Sequence, residues 1–134
     1  METTQSSRLP IAKNDHDMLK HYLRTNNMEL KYDQAKAQEF MEDIRDAEVI
    51  NPSEFPSDKV RLNSKVTVRN TLARQNYTYT VVLPDKADQK HEMISILAPM
   101  GMALFGAKKG DTISLDSSKG RRHFTIQEVT NPVD

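Results

Sequence analysis

The 134-residue sequence contains no cysteine and no tryptophan, and it holds only four glycines. Without cysteine there is no disulfide, no thiolate zinc site and no cysteine nucleophile. Such a composition fits a reducing compartment. No stretch approaches the ~20 consecutive apolar residues that a bilayer-spanning helix needs. The opening METTQSSRLP also lacks the basic start and apolar run of a secretory signal. The expectation is a soluble cytoplasmic protein that does not engage membranes. Glycines 101, 106, 110 and 120 are scattered over single turns or packing sites, which excludes a glycine-rich phosphate loop.

Net charge is absent as well, since 19 Lys+Arg balance 19 Asp+Glu. The balance hides two unlike parts. Residues 1–58 hold 7 basic and 12 acidic side chains, a net −5, and residues 59–134 hold 12 and 7, a net +5. Two readings stand side by side: ordinary surface solvation, or a bipolar adaptor with an acidic and a basic end. There is no dense Lys/Arg run and no basic motif interleaved with aromatics, so sequence-specific nucleic-acid binding is not expected and any DNA contact is a weak one.

Reaction centres are equally hard to find. His16 and His21 are five apart, which separates them on a helix, and His91 and His123 fall in a loop and a strand. No HExxH or comparable ligand spacing occurs. Glu39, Glu42, Asp43 and Asp46 lie opposite an apolar stripe and read as a solvated helix face. No serine sits in a nucleophile elbow. The sequence therefore predicts no catalytic residue, no cofactor and no metal: a binding module, not an enzyme.

What is present is a series of periodic segments. Asn14 or Asp15 can cap a first helix, in which Met18 with Tyr22 and Leu19 with Leu23 form i,i+4 pairs on one stripe. The pattern stops at Thr25-Asn26-Asn27. From Asp33 to Glu48, residues Ala37, Phe40, Met41, Ile44 and Ala47 follow the i, i+3, i+4, i+7 template of a second helix. Residues 1–50 thus read as a short antiparallel helical hairpin, a coiled coil of two members. The proline-containing NPSEFPSD over 51–58 reads as a linker.

Residues 59–134 read as a second domain of five strands and one short helix, built on an antiparallel sheet. Val66 and Val68 alternate in one strand, and Tyr77, Tyr79, Val81 and Leu83 in the next. In the last strand Phe124, Ile126 and Glu128 would share one face, so that either a bulge occurs or the strand ends. Between them stands ISILAPMGMALFGAKKGD, residues 94–111. Ile94 and Ile96 alternate as a strand, Pro99 suits the first helical position, and Gly106 can end the helix in a left-handed conformation.

The segments VRLNSKVTVRN (60–70), YTVVLP (79–84), ISILAPMGMALFGAKKGDTISL (94–115) and the last strand through Phe124 and Ile126 occur in an order that closely resembles the C-terminal domain of the bacterial GreA/GreB transcript-cleavage factors. APMGMALFG (98–106) and NPSEFPSDKV (51–60) look most like the Rnk branch of that superfamily, whose members are named regulators of nucleoside diphosphate kinase. The resemblance implies an FKBP-like fold, α+β overall, with a short hairpin in place of the long Gre coiled coil. It also implies docking of a monomer on RNA polymerase at the rim of the secondary channel. The implied contact residues are Leu97, Ala98, Pro99 and Met100, at an exposed strand-to-helix junction where Gre factors carry Asp-Ser-Pro. Only the proline of that triplet is kept here.

Gre factors also place two acidic residues at the coiled-coil tip, where they help hold a metal ion in the polymerase active site. The corresponding tip contains Met28, Glu29 and Asp33, without the close Asp-x-x-Glu arrangement. Helices of 12–16 residues span only about 18–24 Å, short for a rod reaching a buried active site. The expected activity is competition with cleavage factors without cleavage. Two alternatives stand beside it: a peptidyl-prolyl isomerase, argued only from the FKBP-like sheet, and a polymerase-independent adaptor using the acidic hairpin.

Overall fold

The computed structural model describes residues 8–25, 34–117 and 120–132. The chain forms two compact units, Met1–Phe55 and Pro56–Asp134.

In the first unit, strand β1 (Pro10–Ala12) runs directly into helix α1 (Lys13–Thr25). Helix α2 (Gln34–Arg45) is followed, after a turn at Asp46, by strand β2 (Glu48–Ile50), which pairs parallel to β1. Neither strand is visible in the periodicity, since three residues are too few to show alternation. Their presence ends α2 at Arg45 and makes Glu48 a strand residue instead of the helix end expected from sequence. Ile11, Ala12, Leu19, Phe40, Ile44 and Ala47 form the buried core of this unit. Met18, placed on the apolar stripe by its spacing, is instead 46% exposed.

The ends of the two helices are joined by polar groups. Arg8 donates from Nε to Asp46 O and from Nη2 to Ala47 O, at 2.9 and 3.0 Å. These are carbonyls that the end of α2 leaves without a helical partner. His16 Nε2 lies 3.0 Å from Ile44 O. A carbonyl can only accept, so the proton sits on Nε2 and the ring serves as a structural donor.

The second unit is built on a five-stranded sheet in the order β5-β4-β3-β7-β6. Its strands are β3 (Lys65–Asn70), β4 (Gln75–Val82), β5 (Met93–Ser95), β6 (Thr112–Ser117) and β7 (Gly120–Thr130). The β3–β4, β3–β7 and β6–β7 pairs are antiparallel, but β4–β5 is parallel, so the sheet is mixed where the sequence pointed to an antiparallel one. The reason lies in residues 83–92. Two 3-10 turns, Pro84–Lys86 and Gln89–His91, lengthen this connection beyond a hairpin and return the chain to run beside β4 in the same direction.

Val66, Val68, Val81, Ile96, Leu104 and Ile126 are all buried and make the centre of the core with Val60 and Leu62. The parity conflict at Glu128 is resolved by a bulge. Thr67 opposes Glu128 while Val68 opposes Ile126, which leaves Gln127 as the extra residue. Strand β7 consequently continues to Thr130, and Glu128 turns outward.

Candidate functional site

The corner between β5 and helix α3 (Pro99–Leu104) is held by one serine and one glycine. Regular pairing of β5 with β4 ends at Ser95, and one further bond, Ile96 N–H to Val82 O at 2.8 Å, carries the chain past the end of the strand. There Ser95, itself buried, takes over. Its Oγ accepts the Leu97 N–H at 3.0 Å, and its carbonyl accepts the Ala98 N–H at 3.0 Å. This folds the backbone back on itself within three residues. Ala98 is extended (φ −71°, ψ 153°) and Pro99 opens the helix, where a missing N–H costs nothing.

Gly101 completes the corner. A Cβ at this position would lie 2.0 Å from Ser95 O, 2.9 Å from Ser95 C and 3.0 Å from Ile96 Cα. All three are backbone atoms, so no side-chain rotation could make room. Only glycine allows α3 to sit this close to the end of β5. Beyond the helix, Gly106 takes a left-handed φ of 85°, and its N–H bonds Val60 O at 3.2 Å. Val60 N–H returns a bond to Ala107 O at 2.8 Å, so the exit of α3 is tied to the start of the unit.

The four junction residues expected to form a contact surface are therefore separated by the fold. Pro99 is exposed, and Ala98 and Met100 are half-buried at the corner. Leu97 is 3% exposed and belongs to the core, contrary to its expected place on an exposed junction. The physical reason is the Ser95 turn. Strand alternation would send Leu97 outward, but alternation has already stopped, and Ser95, Ile96 and Leu97 are buried in succession. The available corner is Ala98-Pro99-Met100. Ser95 and Gly101 hold it and were missed as functional positions by sequence reasoning. A signal existed, because a glycine inside a short helix costs about 1 kcal/mol against alanine and so points to a close backbone approach. The tip residues Met28, Glu29 and Asp33 lie outside the described residues.

The loop that delivers β5 is closed by its own polar contacts. Asp88 and Met93 exchange backbone bonds at 2.8 and 2.9 Å, and His91 Nδ1 lies 2.6 Å from Asp88 Oδ2. That hydrogen bond to His91 is the main cause that holds the Asp88 carboxyl below its ordinary range. Glu92 turns the chain with a left-handed φ of 58°. Among the described residues, no three His, Asp or Glu side chains converge as metal ligands. No helix among them is long and apolar enough to cross a membrane.

The geometry defines an α+β sheet domain with one rigidly held apolar corner. Residues 55–131 match the family described as "Transcription elongation factor, GreA/GreB, C-term". This chain belongs to that family. It is similar to the transcription elongation factor GreA of Magnetococcus marinus, 34% identical over 87 residues, which cover 65% of this chain and 55% of the relative. It is also similar to GreA of Baumannia cicadellinicola, 32% identical over 97 residues, 72% of this chain and 61% of that one. The chain thus spans between about half and three fifths of the length of these relatives. Among solved structures, a prokaryotic transcription elongation factor GreA/GreB from Nitrosomonas europaea superposes with a TM-score of 0.77 at 31% identity. That match covers 94% of this chain and all of the other.

Proposed function

We propose that this protein is a bacterial regulator that binds RNA polymerase at the rim of its secondary channel and competes there with Gre cleavage factors, without stimulating cleavage. The observation that carries this reading is the junction itself. In a domain of the GreA/GreB family the resemblance aligns Asp-Ser-Pro with Leu97-Ala98-Pro99, so the charged and hydroxyl positions are apolar here, and the corner fixed by Ser95 and Gly101 leaves Ala98, Pro99 and Met100 accessible. The contact is accordingly apolar, made by the Pro99 ring and the exposed parts of Ala98 and Met100, with buried Leu97 supporting them from behind.

The absence of cleavage rests on length. Helices of 13 and 12 residues extend about 18–20 Å as a hairpin. Such a hairpin, FKBP-like sheet domain attached, suits a factor that occupies the entrance and acts as a monomer and a non-enzyme. The short helices and the APMGMALFG segment favour the Rnk-like branch of the family.

Purified core polymerase provides the test. The full chain should bind it saturably, be displaced by a GreA protein, and leave the transcript of a backtracked complex uncut. Saturable binding without mutual displacement would move the contact away from the channel rim. Stimulated cleavage would refute the competitor role.

A further inference from the structure

The opposite end of the sheet carries a second surface, one that the chain order conceals. The β3–β4 and β6–β7 hairpins point the same way and lie side by side, joined by a bond from Thr71 N–H to His123 O at 3.2 Å. The β3–β4 tip is rigid. Asn70 Oδ1 accepts the N–H groups of both Leu72 and Ala73, at 3.0 and 2.9 Å, and Arg74 closes the turn with a left-handed φ of 58°. This tip holds Leu72 93% exposed.

On the adjoining sheet face Tyr77 is 36% exposed. Its ring stacks on Tyr79 at 6.4 Å between centroids and meets the edge of Phe124 at 6.5 Å. The pairing register puts Arg122, opposite Leu115, on this same face, because Phe124 and Arg122 are two apart in β7.

Arg69, Arg74, Arg121 and Arg122 all belong to this end. Among the described residues at this end of the two hairpins the acidic one is Asp116, engaged by Arg121 Nε at 2.9 Å, while Glu92 lies within electrostatic reach of Tyr79 on the far side of the cluster. Arg69 is held by Asn76 Oδ1 at 3.0 Å. Arg74, in the β3–β4 turn, and Arg122, two residues before Phe124 in β7, are both exposed, within the part of the chain that carries net +5.

We propose that this end of the sheet binds single-stranded nucleic acid without sequence preference, with Arg74 and Arg122 meeting backbone phosphates and the exposed Tyr77 ring, backed by half-buried Tyr79 and buried Phe124, receiving a base. Cations near an exposed aromatic ring are the combination that single strands require, since phosphates take the charge and every base offers a π-face. Leu72, exposed on the adjoining hairpin turn, offers an apolar contact for a neighbouring base. An acidic protein segment would satisfy the arginines, but it would leave the exposed Tyr77 ring unused. The surface is separate from the Ala98–Met100 corner, so the proposal does not depend on polymerase docking.

The test is fluorescence anisotropy of the purified full chain with fluorescein-labelled 12-mers, oligo-U and oligo-dT, between 50 and 200 mM salt. Two phosphates on a single strand give a log–log salt slope of about −1.4. In the Arg74→Ala/Arg122→Ala variant that slope should fall close to zero. Tyr77→Ala should weaken binding about tenfold at fixed salt and keep the slope, given a stacking contribution of about 1–3 kcal/mol per base. Lys65→Ala, on the opposite sheet face, should change nothing. Equal affinity for both oligomers would show phosphate and base as the shared determinants, and a preference for oligo-U would add the 2′-hydroxyl; either supports the site. Absence of saturable binding at 50 mM salt, or binding untouched by both variants with their melting curves intact, would overturn it.

Discussion

Replacing Gly101 with alanine offers the sharpest check on how the α3 corner is built. In an exposed helix this change ordinarily stabilises by about 1 kcal/mol. Here the sign should reverse. The new methyl would sit 2.0 Å from Ser95 O, and the helix would have to retreat by about 1.4 Å to reach ordinary van der Waals contact. Forced overpacking of this kind costs about 1–3 kcal/mol. The retreat also strains the Ser95 bonds to Leu97 N–H and Ala98 N–H, both now 3.0 Å, at about 1 kcal/mol each. After subtracting the helix-propensity gain, the net loss is about 2–4 kcal/mol. For a domain of this size each kcal/mol moves Tm by about 4–8 °C, so the variant should melt at least about 8 °C lower. Circular dichroism of the full chain reads this directly, and Ala103→Gly in the same helix gives the ordinary propensity cost for comparison. A Gly101→Ala protein that melts at or above the parent temperature would show that the corner is not set by this backbone contact.

Three further outcomes are expected. Pro99→Ala with Met100→Glu should weaken polymerase binding at least tenfold while leaving Tm within a few degrees, because Pro99 is exposed and an acid is tolerated in the first helical turn; Leu97→Asp, by contrast, buries a carboxylate and should unfold the unit, so it does not report on docking. Asn70→Ala should cost about 1–2 kcal/mol in urea unfolding, since it removes the acceptor of two turn N–H groups. The Asp88 carboxyl is depressed by its bond to His91, so its contribution is present above the unfolded carboxylate pKa and disappears as pH falls through the lower folded value. In a carboxyl NMR titration, His91→Ala should bring that midpoint back up toward the ordinary range, and an unmoved midpoint would remove His91 as the cause.

Much of the sheet domain was legible because its strands obey the two-residue period. Val66 and Val68 are buried as their alternation requires, and the odd parity of Glu128 already marked the place where Gln127 bulges. Legibility failed where local pattern and tertiary pairing diverge. The alternation of Ile94 and Ile96 extrapolates to an outward Leu97, but a buried hydroxyl at Ser95 turns the backbone and takes Leu97 inside. Parallel pairing of β4 with β5 could not be read either, because it depends on the two 3-10 turns that lengthen the connection. In the first unit, β1 and β2 exist only through each other, each being three residues long.

By itself the sequence determined the family, the five strands of the sheet domain, the glycine after α3 and the lack of any run capable of spanning a bilayer. These follow from periodicity, turn chemistry and composition, which are local properties of the chain. Only the tertiary structure decided which junction residues face solvent, because burial depends on what packs against a residue and not on its neighbours in sequence. The same holds for the arginine–aromatic end. Leu72, Arg74 and Tyr77 stand some fifty residues from Arg122 and Phe124 in the chain. No basic run is visible in either segment, and strand register alone places them on one surface.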